Sequence, residues 1–128
     1  MLKAENLHKS FGDLPILKGI DLYVEKSEVI SIVGSSGAGK TTLLQILGTL
    51  DKPDQGLLEI DGINPFDLSQ KKLSAFRNKS IGFIFQSHQL LPEFSTIENV
   101  MLPSLIKGVS KKQAYEEAYK LLELLKLD

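Results

Sequence analysis

Three observations predict an α/β fold. The run "EVISIVG" sets β-branched residues over 29–33 and closes on Gly34, the pattern of a strand buried on both faces of a parallel sheet. "KTTLLQILGTL" follows, with Leu43, Leu44, Ile46, Leu47 and Leu50 at helical spacing and a stop near Lys52 and Pro53. Ahead of both, "LKAENLHKSF" and "LPILKGIDLYVE" read as two strands around a Gly-Asp turn. Ile20, Leu22 and Val24 alternate toward one face there, as in an antiparallel sheet covered on one side.

The later elements follow from local signals. A strand over 57–60 precedes the Asp61-Gly62 pair, a short-range hairpin signal. The pattern then predicts a helix over 70–76, and "SIGFIFQ" reads as another strand, ending at Gln86. The chain is irregular from there to Ser95, where Ser95 and Glu98 have the spacing of a capping box. Ser110 and Gln113 repeat that spacing ahead of a helix whose apolar face is Ala114, Ala118, Leu121, Leu122 and Leu125. Its wet face carries Lys111, Lys112, Glu116, Glu117 and Lys120.

Composition narrows the class of molecule. A chain of 128 residues with 42% hydrophobic side chains suits one small globular domain. Fifteen basic and sixteen acidic side chains nearly cancel, which gives no footprint for nucleic acid. Cysteine is absent, so disulfides and thiolate metal sites are excluded. His8 and His88 stand far apart with no companion at metal-ligand spacing. Neither a signal peptide nor a membrane-spanning apolar block is legible, and the expected address is cytoplasmic.

The chemistry is concentrated between the predicted strand and the predicted helix. Gly34, Gly39, Lys40 and Thr41 satisfy G-x-x-x-x-G-K-[ST], the phosphate-binding loop, in the strand–loop–helix context that supports it. Glycine lets the backbone curl without Cβ clashes, so that successive N–H groups point at phosphate oxygens. The helix start adds unpaired amides and the positive end of its dipole. Lys40 then serves the β- and γ-phosphates as a point charge, and the Thr41 hydroxyl is a ligand for Mg²⁺. The competing reading is a glycine-rich turn that happens to precede a helix.

With these residues in place, the chain resembles the ATP-binding subunits of ABC transporters. The stretch from "SFGDLPILKG" through "GSSGAGKTT" to "LLEIDG", together with "IGFIFQSHQLLPEFSTIENVMLP", is similar to that family's adenine-stacking region, phosphate loop and glutamine loop, in order. The resemblance covers essentially the whole chain. From Gln86 to Pro103 it is nearest to lipoprotein-releasing subunits, with macrolide or peptide exporter and cell-division ATPases of the same clade close behind. It implies a P-loop NTPase core, a partial parallel sheet with helices, plus an N-terminal antiparallel β subdomain and the start of a helical subdomain. Residues 1–128 would be the N-terminal part of one nucleotide-binding domain. Within it 1–28 and 57–62 form the antiparallel region, 29–56 the loop with its strand and helix, 63–86 a helix and the glutamine-loop strand, and 87–128 the beginning of the helical part.

The resemblance also assigns roles. Phe11 matches the aromatic that stacks on adenine, where the family prefers tyrosine; the ring remains and the hydroxyl is lost. Without the family, Phe11 is a core phenylalanine near a turn. Gly34, Ser35, Ser36, Gly37, Ala38, Gly39, Lys40, Thr41 and Thr42 match the groups surrounding the phosphates of ATP. Gln86 matches the glutamine that contacts Mg²⁺ and the attacking water, although on its own it is a polar strand end. Leu90, Leu91 and Phe94 are either core or a docking patch for a transmembrane permease subunit near Gln86. The implied partners are that permease and a second copy of the ATP-binding subunit, with no nucleic acid, on the inner face of the bacterial cell membrane.

Parts of the family pattern do not occur in these residues. There is no LSGGQ-like segment, no apolar strand ending in Asp-Glu and no switch histidine. The expectation is binding without efficient hydrolysis, because phosphoryl transfer depends on complete positioning. In the family, moreover, the sheet strands lying between 29–33 and the strand ending at Gln86 come after the equivalent of Asp128. That predicts marginal stability, since buried strands cannot leave backbone groups unpaired at low cost. Two other readings are a naturally short module that holds ATP without turnover and a P-loop kinase. The long antiparallel start and the Gln86 region argue against the kinase.

Overall fold

The computed structural model describes residues 1–127. Two compact units divide the chain, Met1–Arg77 and the part from Asn78 onward.

The first unit is organised by β1 (Leu2–Phe11), which pairs antiparallel with β2 (Leu14–Val24) on one side and with β3 (Gln55–Ile60) on the other. Ala4 and Leu7 are both buried although their spacing sets them on opposite faces of a regular strand. A bulge resolves this: the register shifts between Ala4 and Leu7, and Asn6 takes a left-handed φ of 49°. Asp21 holds the bulge by accepting the Asn6 N–H at 2.7 Å. Opposite it stands Gly56, where a Cβ would lie 2.5 Å from the Asn6 carbonyl oxygen, so no larger residue fits.

Across one face of this sheet lies α1 (Lys40–Leu47), which inserts Leu43 and Ile46 among Ala4, Leu7, Leu17 and Leu58. Burying each of these large side chains contributes about 1.5–3 kcal/mol. Leu44 and Leu50, counted in the predicted stripe, are 47% and 40% exposed. The helix stops at Gly48, and Thr49 turns left-handed at φ 59° with its side chain buried. Arg77 closes that corner, Nε donating to Thr49 Oγ1 and Nη2 to the Thr49 carbonyl at 2.7 Å.

The Asp61-Gly62 turn forms with both residues at positive φ, but it leads to one bridge between Ile60 and Ile63 and not to a second strand. A 3-10 turn over Pro65–Asp67 follows, capped by Asn64. Next comes α2 (Gln70–Ser80), which runs four residues beyond the predicted 70–76.

In the second unit α3 (Thr96–Ile106) packs on α4 (Lys111–Leu124), with Met101, Ala114 and Ala118 buried together. The Ser95 capping box is complete, each partner satisfying the other's backbone N–H. At Ser110 the backbone half forms, the hydroxyl accepting from the Gln113 N–H, while the Gln113 side chain accepts from the Ser110 hydroxyl and leaves the backbone amide alone. Of the predicted apolar face of α4, Ala114, Ala118 and Leu122 are buried, whereas Leu121 and Leu125 are 53% and 65% exposed.

The parallel sheet is the main correction. Neither 29–33 nor 80–86 forms a strand; Ser80 ends α2, and both runs are without ladder hydrogen bonds. Val29 is 95% exposed and Ile84 97%. Among the described residues every strand pairing is antiparallel, and neither run is paired with a strand. A segment suited to burial on both faces has no conformational reason to become a strand until neighbours take up its backbone groups.

Candidate functional site

The loop over 34–42 is shaped by backbone geometry. Gly37 and Gly39 have φ of 79° and 84°, which L side chains rarely adopt. At Gly39 space is also decisive: a Cβ would sit 2.9 Å from Ile16 Cγ2 and 3.0 Å from Leu17 Cδ2. The loop is therefore seated on β2, with Gly39 as the contact that only glycine allows. It is closed by the Ala38 N–H donating to the Ser35 carbonyl at 3.2 Å.

Gly39 is the N-cap of α1 and provides no side-chain cap. The first helical bond belongs to the Leu43 N–H, which donates to the Gly39 carbonyl at 2.8 Å. Among the described residues the N–H groups of Gly37, Gly39, Lys40, Thr41 and Thr42 donate to no protein group. Such a row of amides at a helix start suits an anion with several oxygens. Lys40 folds over the same loop, its Nζ donating to the carbonyls of Gly34 at 2.9 Å and Ser35 at 2.6 Å. The ammonium is thus held beside the free amides by the loop itself. Thr41 is exposed, with its hydroxyl next to them in the first helical turn. These groups fit a nucleoside triphosphate and a hard cation such as Mg²⁺: amides and an ammonium for phosphate oxygens, a hydroxyl oxygen for the metal.

A hollow of about 390 Å³ reaches Gly39 and Lys40, but Leu17, Ile20, Leu22, Ile32 and Leu43 line most of it. Apolar walls suit packing side chains, whereas the groups suited to phosphate oxygens are the amides of the loop.

Phe11 ends β1 and pairs with Leu14, two residues before the Ile16 on which Gly39 rests. The structure therefore puts the aromatic and the loop at the same end of the sheet. The residue is 54% exposed, which excludes the core reading. Sequence reasoning passed over Lys9, whose Nζ lies 5.7 Å from the Phe11 ring centroid. Its tie to Asp51, 42 residues away, could not be read from local spacing.

Gln86 belongs to the second unit, in an exposed stretch without regular structure. Leu90, Leu91 and Phe94 follow it at 63%, 44% and 43% exposure, so none of the three is core in this chain. Asn99 also went unremarked in the sequence. Its Oδ1 accepts the Leu91 N–H, and its Nδ2 donates to the carbonyls of Leu91, Phe94 and Ser95, all within 3.1 Å.

Comparison with known proteins agrees with this geometry. The family described as "ABC transporter" matches residues 17–128. The chain is 60% identical to the lipoprotein-releasing system ATP-binding protein LolD of Bacteroides thetaiotaomicron, over 99% of this chain and 58% of that protein. Against the LolD of Porphyromonas gingivalis the identity is 55%, with the same coverage. Among solved structures, a dimeric ATP-binding cassette in a post-hydrolysis state bound to ADP and Pi superposes with a TM-score of 0.88 at 36% identity, covering 100% of this chain and 58% of that one. The chain spans somewhat over half the length of the relatives it matches.

Proposed function

This chain belongs to the ABC transporter family, and from that premise we propose that it is the ATP-binding part of a transporter subunit that couples ATP binding and hydrolysis to lipoprotein release by a membrane partner. The observation that carries the reading is the row of undonated amides at the start of α1 with the Lys40 ammonium folded over it.

In this reading the amides of 37–42 and Lys40 bind the phosphates, and the exposed ring of Phe11 receives adenine. Thr41 and Gln86 would hold Mg²⁺, which supplies charge neutralisation at the β- and γ-phosphates. Gln86 would also orient the attacking water. The Leu90, Leu91 and Phe94 patch, stapled by Asn99, would meet the permease, and a second ATP-binding subunit would complete the functional unit. No helix among the described residues is long and apolar enough to cross a membrane, in keeping with a peripheral place on the inner face of the bacterial membrane. The runs 29–33 and 80–86 would become sheet strands when the rest of such a subunit flanks them.

Hydrolysis needs groups beyond those of the loop, so the 128 residues by themselves bind ATP without efficient turnover. Calorimetry with ATP and Mg²⁺ tests this. Expected are saturable binding that Lys40→Ala weakens at least about tenfold and no steady-state release of phosphate. Absence of any magnesium-assisted binding would overturn the proposal.

A further inference from the structure

The surroundings of Lys9 are built more tightly than a surface lysine requires. Its side chain is only 12% exposed, although it stands two residues from the end of β1. Nζ donates to Asp51 Oδ1 at 3.0 Å and to the Lys52 carbonyl at 2.7 Å, and Asp54 Oδ1 stands 3.8 Å away. The same segment is bound to β1 twice more: the Ser10 N–H donates to Asp54 Oδ2 at 2.7 Å, and the Asp54 N–H donates to the His8 carbonyl at 2.9 Å. The connection between α1 and β3 is thereby tied to the last residues of β1, whose final side chain is Phe11.

That arrangement extends to Phe11. The Lys9 ammonium lies over the ring at 5.7 Å from its centroid, within the range of a cation–π contact. Two of its three protons are committed to Asp51 and Lys52, so the lysine has little rotamer freedom left, and the ring it touches is held with it. Phe11 as a residue is 54% exposed, so it is not covered by the rest of the chain. An exposed aromatic residue held by a largely buried ammonium is preorganised to stack on a flat base, because the ordering cost has been met before the ligand arrives.

We propose that Lys9 is a positioning residue for the nucleobase: held by Asp51 and the Lys52 carbonyl, it fixes the Phe11 ring for stacking and so adds to the affinity for a purine nucleotide while leaving the phosphate loop untouched. The inference rests on the reading of Phe11 as the base-stacking residue.

The test compares ATP with inorganic tripolyphosphate, both with Mg²⁺, as ligands of the full chain in calorimetry. Lys9→Met keeps the aliphatic stem and removes the charge. It is expected to weaken ATP about three- to tenfold and to leave tripolyphosphate within twofold. Lys9→Arg should restore ATP binding. In a Phe11→Leu background, which itself weakens ATP about tenfold, Lys9→Met should add less than twofold. Lys9→Gln, which retains a donor for Asp51 and Lys52, replaces the methionine variant should that one not fold. Equal losses for ATP and tripolyphosphate, or a full Lys9 effect without the ring, would overturn the proposal. Phe11→Leu binding ATP as tightly as the unaltered chain would instead remove the reading of Phe11 beneath it.

Discussion

The strand β1 and the run 29–33 make an instructive pair within one unit. By composition the run is the better strand, with Val29, Ile30, Ile32 and Val33 around a single serine, whereas β1 contains Lys3, Glu5, Asn6, His8, Lys9 and Ser10. Yet β1 is hydrogen-bonded on both edges, and the run on neither. Within the run, Ile32 packs against the core cluster while Val29 and Val33 stand 95% and 85% exposed. A strand is a property of a pair, and side-chain preference acts only after a neighbour has taken up the backbone groups.

The largest expected effect tests that contrast directly. Leu7→Ala empties a fully buried position where β1 meets α1 and should cost about 2–5 kcal/mol. Val29→Ala should change stability by no more than about 0.5 kcal/mol. Urea unfolding of both variants measures the difference. A large loss at Val29 would show that the run is paired in solution and would break the comparison.

Next in size is the loop, where two glycines with nearly the same φ differ in surroundings. Gly37→Ala meets open space and bears only the left-handed penalty, about 1–2 kcal/mol. Gly39→Ala bears the same penalty and also drives a methyl group into Ile16 and Leu17 of β2. It should be the more destabilising of the two and should weaken ATP binding at least about tenfold. Thermal unfolding and calorimetry on the two variants, compared side by side, check the ranking; equal effects would mean that the loop is not seated on β2.

What could be read from the sequence divides along the same line. The turn at Gly12 and Asp13, the glycine loop ahead of α1 and the two serine caps depend on residues a few positions apart, and the structure contains each of them. The bulge that buries both Ala4 and Leu7 was not legible, because it depends on Asp21 and Gly56 from other strands. The exposure of Leu121 and Leu125 was not legible either, since helical periodicity reports which residues share a face and not whether another element covers it. At the candidate site the loop was plain from spacing. Lys9 and Asn99 were hidden because their partners, Asp51 and Leu91, lie 42 and 8 residues away.

A smaller effect is expected in the second unit. Asn99→Ala removes the acceptor for the Leu91 N–H and the donor to three carbonyls, all on exposed backbone that water can partly serve. A stability loss of about 1 kcal/mol follows. The telling readout is local: hydrogen exchange at the Leu91 amide should accelerate far more than exchange in α4. Uniform acceleration would mean that Asn99 supports the whole unit and not the loop.

The smallest effect is the pH response of the Ser95 cap. The backbone N–H and then the hydroxyl of Ser95 donate to the Glu98 carboxylate at 2.9 and 2.8 Å, which lowers its pKa below the ordinary value of 4.5. Because the folded pKa is the depressed one, the contribution of Glu98 to stability is complete above the unfolded value of about 4.5. It declines as the pH falls below that value and is gone once the pH has passed the folded pKa. The carboxylate is exposed to solvent, so the gain is small, and a direct titration of Glu98 by NMR is the sensitive probe. Ser95→Ala deletes the hydroxyl bond and should move the Glu98 midpoint upward toward 4.5 while leaving part of the depression, since the residue 95 backbone N–H remains a donor. A midpoint unchanged in that variant would assign the whole shift to the backbone bond, and the hydroxyl of the cap would then act on the Glu98 amide alone.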